Sequence, residues 1–303
     1  MPLLVVGSLA LDTVETPFGK VEEAVGGSAV YFSIAASFFT DVRVVGVVGR
    51  DFPFKYIDKL SDRGIDTKGI KIKDGKTFRW KGSYDYDLNQ AKTIETHLNV
   101  FSGFNPEMPE EYLDSEYVFL GNIHPELQLQ VLSQMKSAKF IACDTMNYWI
   151  EKEKGKLINV FKKVNMVVIN ESEVRQLSGE SNIITAAKKI ASYGPSAVII
   201  KRGEYGAMLF TNNRIFLIPG YPLETVFDPT GAGDSFAGGF MGYLSNCMSF
   251  NEEVLRQAVV VGSVVASFDV EDFSINRLLE LDYSRINERL KQFKNLVEFK
   301  EIK

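Results

Sequence analysis

Short apolar runs rich in β-branched residues return along the whole chain, at Leu3 to Val6, Val42 to Val48, Tyr117 to Leu120, Phe140 to Cys143, Met166 to Ile169 and Ala197 to Ile200. Helix-like stretches separate most of them: Ser28 to Phe39, Phe54 to Arg63, Glu126 to Met135 and Ile183 to Tyr193. Continuous apolar runs suit strands buried on both faces, and strand–helix alternation lays such strands parallel with helices on either side of the sheet. A chain of 303 residues, 45% of them hydrophobic, can bury one large α/β core. Ligands of parallel sheets bind at the carboxyl ends of the strands. The residues just after each apolar run are therefore the ones to read for function.

One segment breaks the pattern. From Lys76 to Phe101, Phe78, Trp80, Tyr84 and Tyr86 alternate with Arg79, Lys81, Asp85 and Asp87, and Asn89-Gln90 offers a turn before a second alternating run. This predicts a β-hairpin with one aromatic face. With the short run Phe18 to Ala24 it predicts a small sheet, formed by about residues 13–25 and 76–101, inserted in a single domain spanning 1–303. No repeat or Pro/Gly/Ser-rich linker divides the chain. The aromatic face is either ordinary packing or a lid over a substrate, and a lid of this kind could also pair with a second copy as a homodimer. The charged stretch Tyr283 to Lys303 reads as a surface helix.

Composition excludes several classes. Net charge is −5 with both signs interspersed, so the basic stripe of a nucleic-acid binder is missing. No run reaches the roughly 18–20 apolar residues of a membrane span. The N-terminal run has no basic flank and continues into Asp12, which reads as a first strand and a cytoplasmic protein. Cys143 and Cys247 read as thiols of a reducing compartment, and His97 and His124 have no zinc-like spacing. Neither a Walker P-loop nor a G-x-S-x-G elbow occurs.

The most informative string for chemistry is Asp228-Pro-Thr-Gly-Ala-Gly-Asp-Ser-Phe236. It predicts a glycine-broken turn entering a helix, where unpaired backbone N–H groups and the positive end of the helix dipole attract an anion. Gly231, Ala232 and Gly233 let a ligand come close. Asp234 would repel a phosphate that merely bound there. It serves either as a helix cap or as the base of a phosphoryl-transfer site, taking the proton of an attacking hydroxyl while the amides stabilise charge.

DPTGAGDSFAGGF resembles the C-terminal signature of the ribokinase-like, PfkB carbohydrate kinase family. That resemblance implies a mostly parallel sheet with helices on both faces and a small β-sheet lid, ATP as phosphoryl donor, Asp234 as general base and Gly231 to Gly233 as its anion hole. Gly26-Gly27, a plain turn by itself, resembles the family's first signature, which touches substrate at the lid hinge. Tyr31 stands near where that family often has Asn. Asp12, a turn residue or a holder of paired hydroxyls, matches a usual substrate contact, and Arg79 on the hairpin is a further candidate. Asn170-Glu-Ser-Glu173 is a capping box or the family's N-x-x-E element, in which Asn170 and Glu173 help position magnesium and phosphates through water. Asp144-Thr-Met-Asn147 resembles a D-x-N element without its usual Arg. Lys201-Arg-Gly-Glu-Tyr-Gly206 is an exposed turn or the family's nucleotide-side turn, with Lys201, Gly203 and Gly206 near phosphate or ribose. Asp228 and Thr230 resemble positions that line a monovalent cation loop, for potassium, in some members.

These elements fall in family order along the chain and imply an ATP-dependent kinase acting on a small sugar. The alternatives are an adenosine-type nucleoside kinase, which the aromatic face and Tyr31-Phe32 would suit, and a non-catalytic sugar- or nucleotide-binding regulator.

Overall fold

In the computed structural model, residues 2–212 and 214–298 are described. The last residues of the expected C-terminal helix, 299–303, lie outside them, and within them the helix runs Tyr283–Val297. Strands follow one another as β1 (Leu3–Val6), β2 (Ala10–Thr16), β3 (Gly19–Gly26), β4 (Val42–Gly49), β5 (Ile65–Lys73), β6 (Phe78–Tyr84), β7 (Ala91–His97), β8 (Tyr117–Leu120), β9 (Phe140–Cys143), β10 (Met166–Asn170), β11 (Ala197–Lys201), β12 (Ala207–Thr211) and β13 (Arg214–Ile218).

Among the described residues these form two sheets. The large one has the order β13-β12-β11-β10-β9-β8-β1-β4-β5, and the small one β3-β2-β6-β7. β5, β4, β1, β8, β9, β10 and β11 run parallel, and β12 and β13 turn back antiparallel at one edge. The apolar runs read from the sequence are the central strands. Leu3, Val5, Val168 and Ile199 point to one layer and Leu4, Val6, Val167 and Ile200 to the other, so each strand feeds two cores. This is the both-faces burial that continuous apolar runs require.

Three strands of the large sheet go beyond the expected set. β5 carries polar residues along most of its length because it is an edge, and β12 with β13 is a tight hairpin at the other edge. The small sheet is also wider than expected. Its first hairpin begins at Ala10, so Asp12 lies inside β2 and not in a loop after β1. β2 and β6 pair parallel, which sets Asp12 beside Trp80 and Val14 beside Gly82. Residues so paired share a face. Asp12, Trp80 and Tyr84 therefore lie on one side of the small sheet, the side that meets the carboxyl edge of the large one.

Candidate active site

The helix Ala232–Cys247 starts at Gly231, whose φ of 86° is the left-handed conformation that glycine accepts without strain. Gly231 is the N-cap and no side chain caps this end, so apart from Ala232 N, which donates to Pro229 O at 3.2 Å, the first-turn N–H groups stay open, and Asp234 sits in the first turn without serving as the cap. A side chain at 231 would collide with the ring of Tyr31, which is buried against this turn. The helix is anchored by close packing on Ser28–Ser37 and Glu252–Asp269, with Phe236 and Phe240 in the core.

Beside the helix mouth, the ends of β9, β10 and β11 bring three charged side chains together with Asp234. Lys201 Nζ donates to Asp144 Oδ2 at 3.1 Å, with Asp144 and Lys201 side chains only 7% and 17% exposed. Asn170 and Glu173 make the capping box: Asn170 Oδ1 accepts from Glu173 N (2.8 Å), and Glu173 Oε2 accepts from Asn170 N (3.0 Å). Burial pushes the Asp234 carboxyl up to about 7, with Asp144 adding and Lys201 opposing. Burial likewise raises Glu173 to about 7; Asp144 adds, Lys201 and the Asn170 N–H oppose, and Asp234 adds. Burial pulls the Lys201 ammonium down, but Asp144, Glu173 and Asp234 outweigh it and hold it above its ordinary value.

On the other flank lies Asp12, 6% exposed. A side chain at Gly26 would collide with its carboxylate and one at Gly27 with the backbone of Ser8 and Ala10, so Gly26 makes room for this acid and Gly27 for the strand that carries it. Burial lifts Asp12 to about 8, Asp228 adds, the Gly27 N–H opposes and Asp234 adds. Asp228 Oδ1 accepts from Thr230 N (2.9 Å) and its Oδ2 from Ser274 N (3.1 Å). The small sheet is tied to this loop: Thr16 Oγ1 donates to Phe227 O (2.9 Å), Thr230 Oγ1 donates to the Tyr84 hydroxyl (3.2 Å), and Ser274 Oγ donates to Val25 O (2.6 Å).

Two expected contacts do not join this group. Arg79 projects from the other face of β6 and is held by Asp51 and Glu23, both at 2.8 Å. Phe32 stacks on Phe119 in the core at 4.4 Å instead of lining the cleft beside Tyr31. Gly203 and Gly206 form the turn after β11 with φ of 56° and 87°, and the hairpin tip reaches it through Asn89 Nδ2 to Glu204 Oε1 at 3.4 Å. Asp144, Tyr84 and Asp269 join the site without an individual role foreseen from the sequence. Asp269 closes the helix Glu252–Asp269 at 1% exposure, with neither carboxylate oxygen hydrogen-bonded. The strand-end position marks Asp144. The alternation along the hairpin marks Tyr84 as part of the aromatic face, and nothing local marks Asp269.

A sheet whose carboxyl edge carries an open helix N-terminus, a carboxylate of raised basicity and a lysine among acids defines a phosphoryl-transfer enzyme. Residues 4–278 match the pfkB family carbohydrate kinase, and the chain belongs to that family of ATP-dependent kinases. It is 31% identical over 271 residues to a cytidine kinase of Thermococcus kodakarensis, covering 86% of this chain and 96% of that one. A nucleoside kinase of Burkholderia thailandensis in complex with inosine shares the fold at a TM-score of 0.82 and 20% identity, over 99% of this chain and 100% of that one. A ribokinase of Thermotoga maritima shares it at 0.75 and 22%, over 95% and 99%.

Proposed function

We propose that this protein is an ATP-dependent nucleoside kinase, in which a ribose hydroxyl of a nucleoside accepts the γ-phosphoryl group. The observation that carries this reading is the similarity to a cytidine kinase along 96% of that protein's length. The small sheet supports it. Trp80 lies over Gly82 with its Nε1–H donated to Thr93 Oγ1 at 3.1 Å, a flat, fixed aromatic surface on the same face as Asp12. A free sugar needs hydroxyl-bonding groups, whereas a nucleobase needs such a surface. The expectation of a sugar acceptor therefore gives way to its alternative.

In this reading the small sheet is a lid within a single kinase domain, and Asp12 accepts hydrogen bonds from ribose hydroxyls. Gly231 and Gly233 offer their N–H groups to the transferred phosphoryl, Ala232 between them keeps its N–H on Pro229 O, and Asp234 takes the proton of the attacking hydroxyl. Asn170, Thr230 and the turn Gly203 to Gly206 border the nucleotide. Magnesium fits as an ion held mainly by phosphates and water, since Glu173 Oε2 is engaged by the Asn170 N–H and the described residues contain no cluster of three or more potential metal ligands. When bound it neutralises phosphate charge. The orphaned carboxylate of Asp269 near Asp228 fits a monovalent cation.

The test is ADP release from ATP with cytidine, adenosine, inosine, ribose and fructose, run on the wild type and on Asp234→Asn. Nucleoside-dependent ADP release is expected, falling roughly 10²- to 10⁴-fold in the variant. Near-normal turnover of Asp234→Asn removes Asp234 as the base. Thermal stabilisation by nucleosides without ADP release removes the catalytic reading altogether.

A further inference from the structure

The sequence groups Lys201 with the turn that follows it, but its side chain leaves that turn. A Cβ built on Gly233 would stand 2.7 Å from Lys201 Nζ, so the ammonium rests against the first turn of the helix that begins at Gly231. Asp144, just past the end of β9 and two strands away in the sheet, holds it there. Asp144 is itself fixed, accepting a 2.7 Å hydrogen bond from Thr145 N through its other oxygen. The remaining charges acting on Lys201 are Glu173 and Asp234.

A buried ion pair adds little net stability over an apolar replacement, because desolvation offsets the attraction. Here the pair brings a fixed positive charge to an open helix N-terminus, where anions bind. The next cation in the chain, Arg202, is turned to Glu171 at 2.8 Å, and Arg79 lies on the far face of β6 with Glu23 and Asp51. The stretch Tyr148-Trp149 after Asp144 supplies no cation.

We propose that Lys201 is a catalytic residue contacting the transferred phosphoryl group, and that Asp144 is the positioning residue that holds its ammonium beside Gly233. This rests on the kinase reading above. As the acceptor oxygen bonds to the γ-phosphorus, the bond from that phosphorus to the β,γ-bridging oxygen breaks and its electron pair stays on ADP. The hydroxyl proton passes to Asp234. Lys201 keeps its protons and neutralises the charge spread over the phosphoryl oxygens.

The test compares Lys201→Met, Lys201→Arg, Asp144→Asn and the double variant Asp144→Asn/Lys201→Met by steady-state kinetics and thermal unfolding, once wild-type turnover with a nucleoside is established. Absence of wild-type turnover would count against the kinase reading and not against this pair. Lys201→Met is expected to lose roughly 10²- to 10³-fold in kcat with nucleoside KM changed less than about threefold, and Lys201→Arg to recover part of that loss. Asp144→Asn is expected to lose about tenfold or more by releasing the ammonium. The double variant should recover the stability lost in the single ones while kcat stays no lower than in Lys201→Met, because Asp144 acts through Lys201. Recovery of both stability and kcat in the double variant would make the pair purely structural. Multiplying losses in kcat, or a loss confined to KM, would overturn the assignment equally.

Discussion

The turn from Asp228 to Asp234 and the outer strand of the small sheet, β7, are built oppositely. In the turn every conformational choice is enforced: Gly231 is pinned by the Tyr31 ring, Asp228 is hydrogen-bonded through both oxygens, and the helix behind it is packed into the core. All seven residues of β7 are exposed, and the strand holds on through one neighbour, β6, with a register shift opposite Gly82. The charge-stabilising geometry is thus rigid and shared with the core. The small sheet, the cover in the proposed reading, is tied to the Asp228 loop by a few hydrogen bonds, the arrangement expected where ligands must enter and leave.

Substitutions probe that contrast from both sides. Gly231→Ala should have the largest effect, because it imposes a left-handed φ on alanine and drives a methyl into Tyr31. A loss of about 1–3 kcal/mol in stability with kcat reduced at least tenfold is expected, measured by denaturant unfolding and ADP release. A silent Gly231→Ala would show that the turn is less constrained than its geometry implies. Tyr84→Phe removes the hydroxyl joining β6 to Thr230 and should cost roughly 1 kcal/mol, read as a three- to tenfold fall in kcat/KM for the nucleoside with the ATP KM little changed.

The raised acids set a pH dependence. Burial holds Asp12 at about 8 against an ordinary 3.8, so the fold favours its protonated form. Its stabilising contribution is complete below the unfolded value and is lost as pH rises through about 8. The melting temperature of the unliganded protein should therefore fall between about pH 4 and about pH 8 and level off above that. Asp12→Asn should flatten that fall by a few degrees, at roughly 2–4 °C per kcal/mol, while weakening nucleoside binding. As the proposed base, Asp234 works in the opposite sense for activity, since a base must be ionised: kcat/KM should decline as pH drops below about 7. The smallest effect belongs to β7. Ile94→Thr, at a half-exposed position, should leave kcat and KM within about twofold.

What can be read from the chain follows from how local each signal is. The central strands announce themselves because burial on both faces leaves an unbroken apolar run. Their ends can be equally plain: Asn170 closes the run that starts at Met166 and caps the next helix. The glycine-rich turn is just as local. β5 is hidden by its polar edge face and β13 by its largely exposed one, although Asn212 with its φ of 45° marks the turn between β12 and β13. Lys201 and Asp144 are 57 residues apart, and Tyr84 and Thr230 are 146 apart. Such pairs exist only once the sheet order brings β9 near β11 and lays the small sheet on the Asp228 loop. Arg79 departs from expectation because alternation along β6 tells which residues share a face, and the face is chosen by the docking of the sheet.

If the cover selects a nucleoside while the rigid turn performs the transfer, direct competition between acceptors decides the matter. The protein is given ATP with equimolar cytidine and ribose, and the phosphorylated product is identified by mass spectrometry. Cytidine monophosphate should dominate, by at least the roughly tenfold ratio that about 1.4 kcal/mol of differential transition-state binding would give. Ribose phosphate as the main product would contradict this division of labour.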